Sequence, residues 1–400
     1  MRSMPTVGNS ELAPNRSERL AIITKSLNGL AEEVSLMRFT TSALLTTVAA
    51  ALLASCSATN GPSLSSPVPS AAGSSFRIVN GRYVPVRRWV RLATLIPPQL
   101  RGTAVRIFTQ LGSPNAKEPE GGIYVSDNTQ QIYGYAASNR HDRPPICYES
   151  GVGSSDGVAV DGKGDLMVSD GNDRLIFVFK GPHMCGRQLG SLNDVYGQPS
   201  DAASPNAATG TIAVANILDA GEPHGSISVC TFAGGCTANL TNPNMDNSVA
   251  GVAMARNGDC WGSSYDARDA ASLTYFKRCS GAGQAATGFK NVSYGGLDID
   301  ENGNIVSIDF EGASTGQIWV YRGCNPACSV VGGPFPLHGN AASGHLNETS
   351  TEFVAADFEN MEVDVYKYDV RRLTYQYSFN SDLSGSAELA GAAFNPRSRE

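Results

Sequence analysis

Short apolar runs that end in an acidic, amide or aromatic residue recur along most of this chain. The residue types in these runs are typical of β-strands bounded by polar turns. The runs occupy residues 123–127, 166–170, 212–216, 261–265, 305–309 and 353–357. Their last residues lie 43, 46, 49, 44 and 48 positions apart. A period of about 40–50 residues with several strands per unit indicates the blades of a β-propeller.

Each unit continues, after a polar turn, with a further apolar strand. These strands are 132–135, 176–179, 227–229, 273–276, 318–321 and 363–366. Three units also begin with a glycine-led strand and a tight turn, at 157–164, 251–258 and 296–303. Lysine–glycine and asparagine–glycine pairs in these turns supply the positive φ that a hairpin between first and second strands requires. The units at 201–240 and 340–378 lack a clear glycine-led first strand, which leaves their boundaries open.

The end of the chain predicts how the ring closes. One more apolar strand, residues 389–394, has no second strand after it, whereas the first complete unit begins at Gly122 without a clear first strand. We therefore predict that residues 387–396 form the missing inner strand of blade one, which removes free sheet edges. The fold prediction is all-β: a six-bladed β-propeller of four-stranded blades over residues 121–396, closed by the C-terminal strand.

Blade two carries a resemblance to known propellers. Residues 157–179 are the best match, and the stretch Val168-Ser169-Asp170-Gly171-Asn172-Asp173-Arg174-Leu175 follows the NHL repeat closely. Over roughly 121–396 the chain resembles the NHL-repeat and SMP-30/gluconolactonase-like propellers. The resemblance implies the propeller fold and, as one function, a metal-dependent lactonase-like hydrolase. The separated Glu, Asn and Asp metal ligands of those lactonases cannot be matched residue by residue in this chain.

The N-terminal part contains an apolar run of about a dozen residues, too short for a bilayer span of about 20 residues. A basic residue upstream, Arg38, and small residues at the end of the run are signal-peptide features. The run ends in Leu53-Ala54-Ser55-Cys56, which resembles the lipobox of bacterial lipoproteins. The resemblance implies cleavage before Cys56 and lipidation of its sulfur, and Ser57 in place of Asp argues against retention in the inner membrane. An ordinary secretory signal with a chance cysteine is the alternative.

These features divide the chain before the propeller. We expect a signal peptide over 37–55, the lipidated Cys56 and a flexible linker over 56–76, and a basic lead-in segment over 77–120. Residues 1–36 carry four glutamates where an n-region should be short and basic, so we expect an over-extended reading frame; a long translated n-region is the alternative. The lead-in has seven arginines and no acidic residue between 77 and 106. These arginines would either contact anionic lipid headgroups or belong to a first strand and loop in which they are simply solvated.

Charge and cysteine content narrow the function classes. Residues 57–400 hold 25 basic and 33 acidic residues, a net charge of −8, which argues against nucleic-acid binding. Of nine cysteines, eight remain when Cys56 is assigned to lipid, and these fit four disulfides in an oxidising compartment. Zinc is the competing use of cysteine, but the pair Cys324 and Cys328 has no second pair of matching spacing.

The strand order predicts how the eight cysteines pair. Cys260 starts a second strand and Cys279 ends the next one, so antiparallel pairing brings them together. Two further pairs each bracket a turn between third and fourth strands, and the last pair follows by elimination. The expected disulfides are Cys260–Cys279, Cys230–Cys236, Cys324–Cys328 and Cys147–Cys185. All four would lie on the same side of the ring.

The opposite side of the ring is the candidate binding surface. In a propeller the loops from second to third strands lie on one face with the loops between blades, and we call this the ring face. The candidate metal or ligand residues end the second strands there: Asp127, Asp170, Asn216, Asp309 and Asp357. Oxygen ligands of this kind suit a divalent cation such as Ca²⁺. The alternative is that each side chain caps its own turn, as Asp and Asn commonly do.

No catalytic group stands out. The five histidines lie in loop-like contexts without metal-ligand spacing, and His338 or His345 as a base competes with an ordinary solvated loop histidine. We therefore expect an exported, monomeric protein anchored to the outer membrane by lipid, which acts as a binding scaffold for a protein or small-molecule ligand. A metal-dependent lactonase-like hydrolase is the second hypothesis, and a purely structural envelope lipoprotein the third.

Overall fold

The computed structural model describes residues 74–79, 82–87, 109–110 and 121–395, with short gaps at 128–129, 138, 153–154, 182, 220–223, 267, 269, 311–314 and 384–388. The extension 1–36, the signal peptide 37–55, Cys56 and the linker up to residue 73 lie outside the described residues. Strands β1 (Ser74–Val79) and β2 (Arg82–Arg87) form an antiparallel hairpin that begins in the last residues of the expected linker.

Residues 121–395, together with the short strand at 109–110, form six antiparallel sheets, the blades of a β-propeller, so the predicted fold class is confirmed. Blade one contains β27 (Leu389–Asn395), β4 (Gly122–Asp127), β5 (Gln131–Ala136), β6 (Cys147–Ser150) and the short β3 (Thr109–Gln110). Blade two contains β7 (Ser155–Val160), β8 (Leu166–Asp170), β9 (Leu175–Phe179) and β10 (Gln188–Asn193). Blade three contains β11 (Gly197–Ala203), β12 (Thr211–Asp219), β13 (Ser226–Thr231) and β14 (Gly235–Leu240).

The other three blades repeat the pattern. Blade four contains β15 (Ser248–Met254), β16 (Cys260–Tyr265), β17 (Ala271–Phe276) and β18 (Gln284–Ala285). Blade five contains β19 (Leu297–Ile299), β20 (Ile305–Asp309), β21 (Gln317–Arg322) and β22 (Ser329–Pro336). Blade six contains β23 (Ala341–Leu346), β24 (Glu352–Asp357), β25 (Glu362–Asp369) and β26 (Arg372–Phe379). Two 3₁₀ turns, Pro243–Met245 and Lys277–Cys279, are the helical segments among the described residues.

The ring closes through β27, as the sequence predicts. This strand pairs antiparallel with β4, from Leu389 opposite Asp127 to Asn395 opposite Gly122. Blade one thus combines residues 122–150 with a strand more than 200 residues later. Because β27 covers the edge of β4, the first strand of the ring keeps no free inner edge.

Tight turns between first and second strands follow from glycine. Gly164, Gly258 and Gly303 have φ of 85°, 89° and 76°, values that a side chain would strain. The three tight turns that the sequence predicts after glycine-led strands are therefore hairpin turns. The two first strands whose boundaries the sequence left open are β11 and β23.

Hydrophobic packing occurs between the blades. The described residues form six clusters of buried apolar side chains, one at each junction between neighbouring blades. At the junction of blades five and six, for example, Val306 and Ile318 pack with Phe353 and Tyr366. Apolar side chains on both faces of each blade explain why the strands read as continuous apolar runs.

Four disulfides link the eight described cysteines: Cys147–Cys185, Cys230–Cys236, Cys260–Cys279 and Cys324–Cys328. These are the pairs expected from the sequence, three from the strand order and Cys147–Cys185 by elimination. Cys279 differs in one detail, because it lies in the 3₁₀ turn after β17 and not in the strand. Four disulfides indicate an oxidising, extracytoplasmic compartment. Within the described part of the chain, no helix has the length and apolar character needed to cross a membrane.

Candidate functional site

The five ring residues predicted from the sequence are buried and bonded within the protein. Four have no exposed surface, and Asp309 is 2% exposed. Three of them accept hydrogen bonds from backbone N–H groups just after their own strand. Asp127 accepts from Gln131 (3.0 Å), Asp170 from Asp173 (3.1 Å), and Asp357 from Glu359 (2.9 Å) and Asn360 (3.1 Å). These bonds are the turn-capping arrangement that was the alternative to a ligand role.

Asn216 and Asp309 form hydrogen bonds with residues outside the turn that follows each of them. The Asn216 amide donates to the hydroxyls of Ser226 (3.2 Å) and Ser228 (2.8 Å), and Ser228 donates to Asp194 (2.8 Å). Asp194 belongs to the loop between blades two and three, so this network ties that loop to blade three. Of the five residues, Asp357 alone lies in a described group of three or more potential metal ligands. Binding of a ligand by the other four stays a prediction.

Asp309 positions a loop of the ring face. Its carboxylate accepts from the backbone N–H of Val292 (3.1 Å), and from the backbone N–H (3.0 Å) and hydroxyl (2.8 Å) of Ser293. These residues lie in the loop between blades four and five. With the backbone fixed beneath it, the Val292 side chain is 62% exposed.

A second interblade loop is held in a similar way. Asp194 is buried and accepts from the backbone N–H of Tyr196 (2.9 Å) as well as from Ser228. Between Asp194 and Tyr196, Val195 is 53% exposed. Burial raises the pKa of Asp194 above its ordinary value, and the hydrogen bonds from Ser228 and Tyr196 act in the opposite direction. The ring face therefore carries two exposed apolar side chains on loops that buried carboxylates hold in place.

A third feature of this face is a group of one histidine and three carboxylates, His338, Asp357, Glu362 and Asp364, which we call the blade-six cluster. One potential ligand atom from each residue lies within 4.8 Å of the others. The His338 Nδ1 atom is 3.1 Å from Glu362 Oε1 and 3.7 Å from Asp364 Oδ1. The His338 side chain is 48% exposed, whereas that of Asp364 is 2% exposed. The cluster thus opens to solvent at the histidine.

Surrounding side chains orient the blade-six cluster. Tyr366 donates its hydroxyl to Asp364 Oδ2 (2.9 Å), and Ser378 donates to Glu362 Oε2 (2.8 Å). The His338 ring stacks on Tyr375 with centroids 4.6 Å apart. Asp364 Oδ1 is buried and has no hydrogen-bond partner. Burial raises the pKa of Asp364 to about 7, while the Tyr366 hydroxyl and the charge of His338 oppose that rise.

A separate group of charged side chains lies on the inner strands that line the ring axis. Asp201 on β11, Asp298 on β19 and His345 on β23 form this axial group. Both aspartates accept backbone N–H groups of a neighbouring blade, from Val252 to Asp201 (3.0 Å) and from Leu346 to Asp298 (2.7 Å). They also accept from the next residue of their own strand. The axial carboxylates therefore hold blades together.

His345 is the one histidine whose context the sequence misjudged. It lies on β23, is 8% exposed, and has Nδ1 3.5 Å from Asp298 Oδ2, so it is no solvated loop residue. The pattern Ser-Gly-His-Leu contains no recognisable strand signal, since β23 has small residues where other first strands have apolar ones. His338 does lie in a loop and is half-exposed, but its carboxylate neighbours come from β24 and β25 and could not be read from its local sequence.

Comparison with known proteins gives only distant structural similarity. No protein-family model and no curated protein matches this chain. Among solved structures, one in a crystal structure of a nidogen/laminin complex is 12% identical, with a TM-score of 0.49; the match covers 69% of this chain and 98% of that one. A functionally unknown protein from Desulfotomaculum acetoxidans DSM 771 has the same identity and coverage and a TM-score of 0.45.

Proposed function

We propose that this protein is a lipid-anchored propeller of the bacterial cell envelope that binds a partner protein on its ring face. The observation that carries the proposal is the pair of exposed valines, Val195 and Val292, on loops fixed by buried carboxylates. An apolar side chain on a rigid loop loses little conformational entropy when a partner covers it, so it contributes more to affinity than one on a mobile loop.

The anchoring part of the proposal rests on the sequence before the propeller. Leu53-Ala54-Ser55-Cys56 resembles a lipobox, and lipid chains on Cys56 would hold the protein at a membrane. The four disulfides support the same address, because they require an oxidising compartment. A tether after Cys56 would leave the propeller free to meet a partner close to the membrane surface.

Site-specific photo-crosslinking in the native host tests the binding face. A photoreactive amino acid at Val195 or Val292 should give discrete adducts with one partner. Matched controls are Asn257 and Asn302, which lie in exposed turns between first and second strands on the opposite face. Adducts that are equally abundant from both faces, or absent from both valine positions, would contradict the proposal.

Cell fractionation and intact-protein mass spectrometry test the anchor separately. Wild-type protein should be found in the outer-membrane fraction, with a mass that begins at Cys56 and includes the lipid. Cys56→Ser should release the propeller into the soluble envelope fraction with its disulfides intact. Wild-type protein that lacks lipid would refute anchoring while leaving the ring-face proposal open to its own test.

A further inference from the structure

We propose that the blade-six cluster is a binding site for a divalent transition-metal ion of the Zn²⁺ or Mn²⁺ class, with His338, Asp357, Glu362 and Asp364 as ligands. The site goes beyond the proposed scaffold function, because metal uptake at this cluster requires no partner on the ring face. It also differs from a ring of equivalent ligands around the axis, since all four residues belong to blade six or to the loop that enters it.

Charge is the first argument for a cation. Three carboxylates and one imidazole present ligand atoms within 4.8 Å of one another. Among the described residues, no lysine or arginine forms a salt bridge with any of the four. Carboxylates at such separations repel one another strongly in a partly buried site. A bound dication removes that repulsion, whereas a single half-exposed histidine offsets only part of it.

The buried Asp364 is the second and independent argument. Its Oδ1 atom is buried without a hydrogen-bond partner and faces His338 at 3.7 Å. A buried carboxylate oxygen that lacks a hydrogen bond is costly. Asp165 and Asp194 also have such an oxygen, but Asp364 is the one that lies in a group with a histidine and two further carboxylates. Its other oxygen is already bonded to Tyr366, which fixes the direction of the free one. This oxygen, which accepts no hydrogen bond, is therefore positioned to coordinate a cation between Asp364 and His338.

Comparison of the blades is the third argument. The strand register places Glu362 opposite Asp357, and Asp364 two residues later. The same two positions hold neutral side chains in the other blades: Gln131 and Tyr133, Leu175 and Phe177, Ser226 and Ser228, Ala271 and Leu273, and Gln317 and Trp319. In blade three, hydrogen bonds among Asn216, Ser228 and Asp194 complete the corresponding network. The repeat architecture itself therefore does not need carboxylates there.

The ligand atoms indicate the class of metal. Imidazole is a common ligand of Zn²⁺ and of transition metals. Carboxylates bind both Zn²⁺ and Mn²⁺, whereas Ca²⁺ prefers oxygen ligands alone. Tyr366 and Ser378 hold two of the carboxylates through their second oxygens, and Tyr375 stacks on the histidine ring. Such outer contacts fix ligand geometry in metal sites. Access is available from solvent through the half-exposed His338.

Isothermal titration calorimetry of the chelator-treated, disulfide-intact protein with ZnCl₂, MnCl₂ and CaCl₂ tests the proposal. Wild type should bind one equivalent of Zn²⁺ or Mn²⁺, at least tenfold more tightly than Ca²⁺. His338→Gln and Glu362→Gln should each weaken binding by at least tenfold. The matched control is His224→Gln, since His224 is also a half-exposed loop histidine but pairs with the single carboxylate Asp246 (2.6 Å). Its affinity should equal that of wild type.

Gly339→Ala provides a variant that changes no ligand. A Cβ at this position would lie 1.9 Å from Asp357 Oδ2, so the carboxylate must move and metal affinity should fall. Thermal unfolding in chelator identifies any variant that simply fails to fold, and added metal should raise the melting temperature of wild type but not of His338→Gln. Absence of metal binding by wild type, equal loss in His224→Gln, or tightest binding of Ca²⁺ would each overturn the proposal.

Discussion

Buried carboxylates in this protein mainly hold backbone, and Asp309 is a clear case. It accepts three hydrogen bonds from Val292 and Ser293 while only 2% exposed. Asp309→Ala would leave buried donors without an acceptor, so we expect a loss of about 2–4 kcal/mol in the free energy of unfolding. Urea denaturation measures it, with the exposed Asp173→Ala as control. A loss no larger than in the control would contradict this account.

The axial group predicts how stability depends on pH. Burial raises the pKa of Asp201 to about 6, although the charge of His345 and the N–H groups of Val252 and Ala202 oppose the rise, and Asp298 adds to it. Burial alone would lower the pKa of His345, but its hydrogen bond to Asp298 and the charges of both aspartates raise it overall. Both groups thus bind a proton more tightly in the folded than in the unfolded protein.

This difference determines the direction in which the free energy of unfolding changes with pH. The contribution of Asp201 is complete below pH about 4 and is lost as the pH rises through about 6, an effect on the order of 3 kcal/mol. The contribution of His345 is lost at higher pH in the same direction. We expect Asp201→Asn to flatten the decline in unfolding free energy between pH 4 and 7, whereas Asp173→Asn leaves it unchanged. Parallel curves for Asp201→Asn and wild type would refute the assignment.

Residues that recur at one place in the repeat could be identified from the sequence, and turn capping was one of the two roles expected for them, but contacts between distant segments could not be predicted. Asp127, Asp170 and Asp357 end second strands as predicted, and each caps its turn. The blade-six cluster was missed because His338 enters it from the loop before β23, while Glu362 and Asp364 enter from β25. Only the register of β24 and β25 and the approach of that loop bring them together.

At the scale of elements, disulfides join neighbouring strands and, in one case, two blades. Cys147 starts β6 of blade one, whereas Cys185 precedes β10 of blade two, 38 residues later. Cys324 and Cys328 are 4 residues apart within one turn. The strand order was sufficient to predict Cys324–Cys328, which brackets a turn, whereas Cys147–Cys185 followed by elimination once the other pairs were assigned. The entropy that a crosslink removes from the unfolded chain grows with the loop it closes.

The two bridges should therefore differ in their effect on stability. By loop length, Cys147–Cys185 stabilises by about 4 kcal/mol and Cys324–Cys328 by about 2 kcal/mol. We expect the double substitution Cys147→Ala with Cys185→Ala to lower the unfolding free energy more than Cys324→Ala with Cys328→Ala. Urea unfolding of both variants under identical conditions measures the difference. An equal or reversed order would contradict the loop-length argument.

At the scale of the whole molecule, the propeller depends on pairing between distant parts of the chain. A chain that stops after Leu383 lacks β27 and exposes the inner edge of β4, so we expect loss of cooperative unfolding and self-association. A chain that stops after Pro396 retains β27 and serves as control. Urea unfolding and size-exclusion chromatography distinguish the two. A monomeric, cooperatively unfolding short variant would show that ring closure is dispensable.

The ring itself could be predicted because six copies of one pattern determine it, and the unpaired strand at 389–394 showed how it closes. The first strands of blades three and six were harder to define. β11 and β23 lack the tight turn to the second strand that blades two, four and five have at Gly164, Gly258 and Gly303. Packing against neighbouring blades positions these strands, and no local pattern reports such contacts.

The construction of blade one has a consequence for the timing of folding. Residues 122–150 leave the ribosome long before residues 389–395, so blades two to six are synthesised while blade one still lacks its inner strand. If the chain is exported as an unfolded polypeptide, the same order applies on the far side of the membrane. Throughout that interval the β4 edge is available to any other extended segment. The protein is therefore most exposed to mispairing, and most in need of a chaperone, just before its final strand arrives.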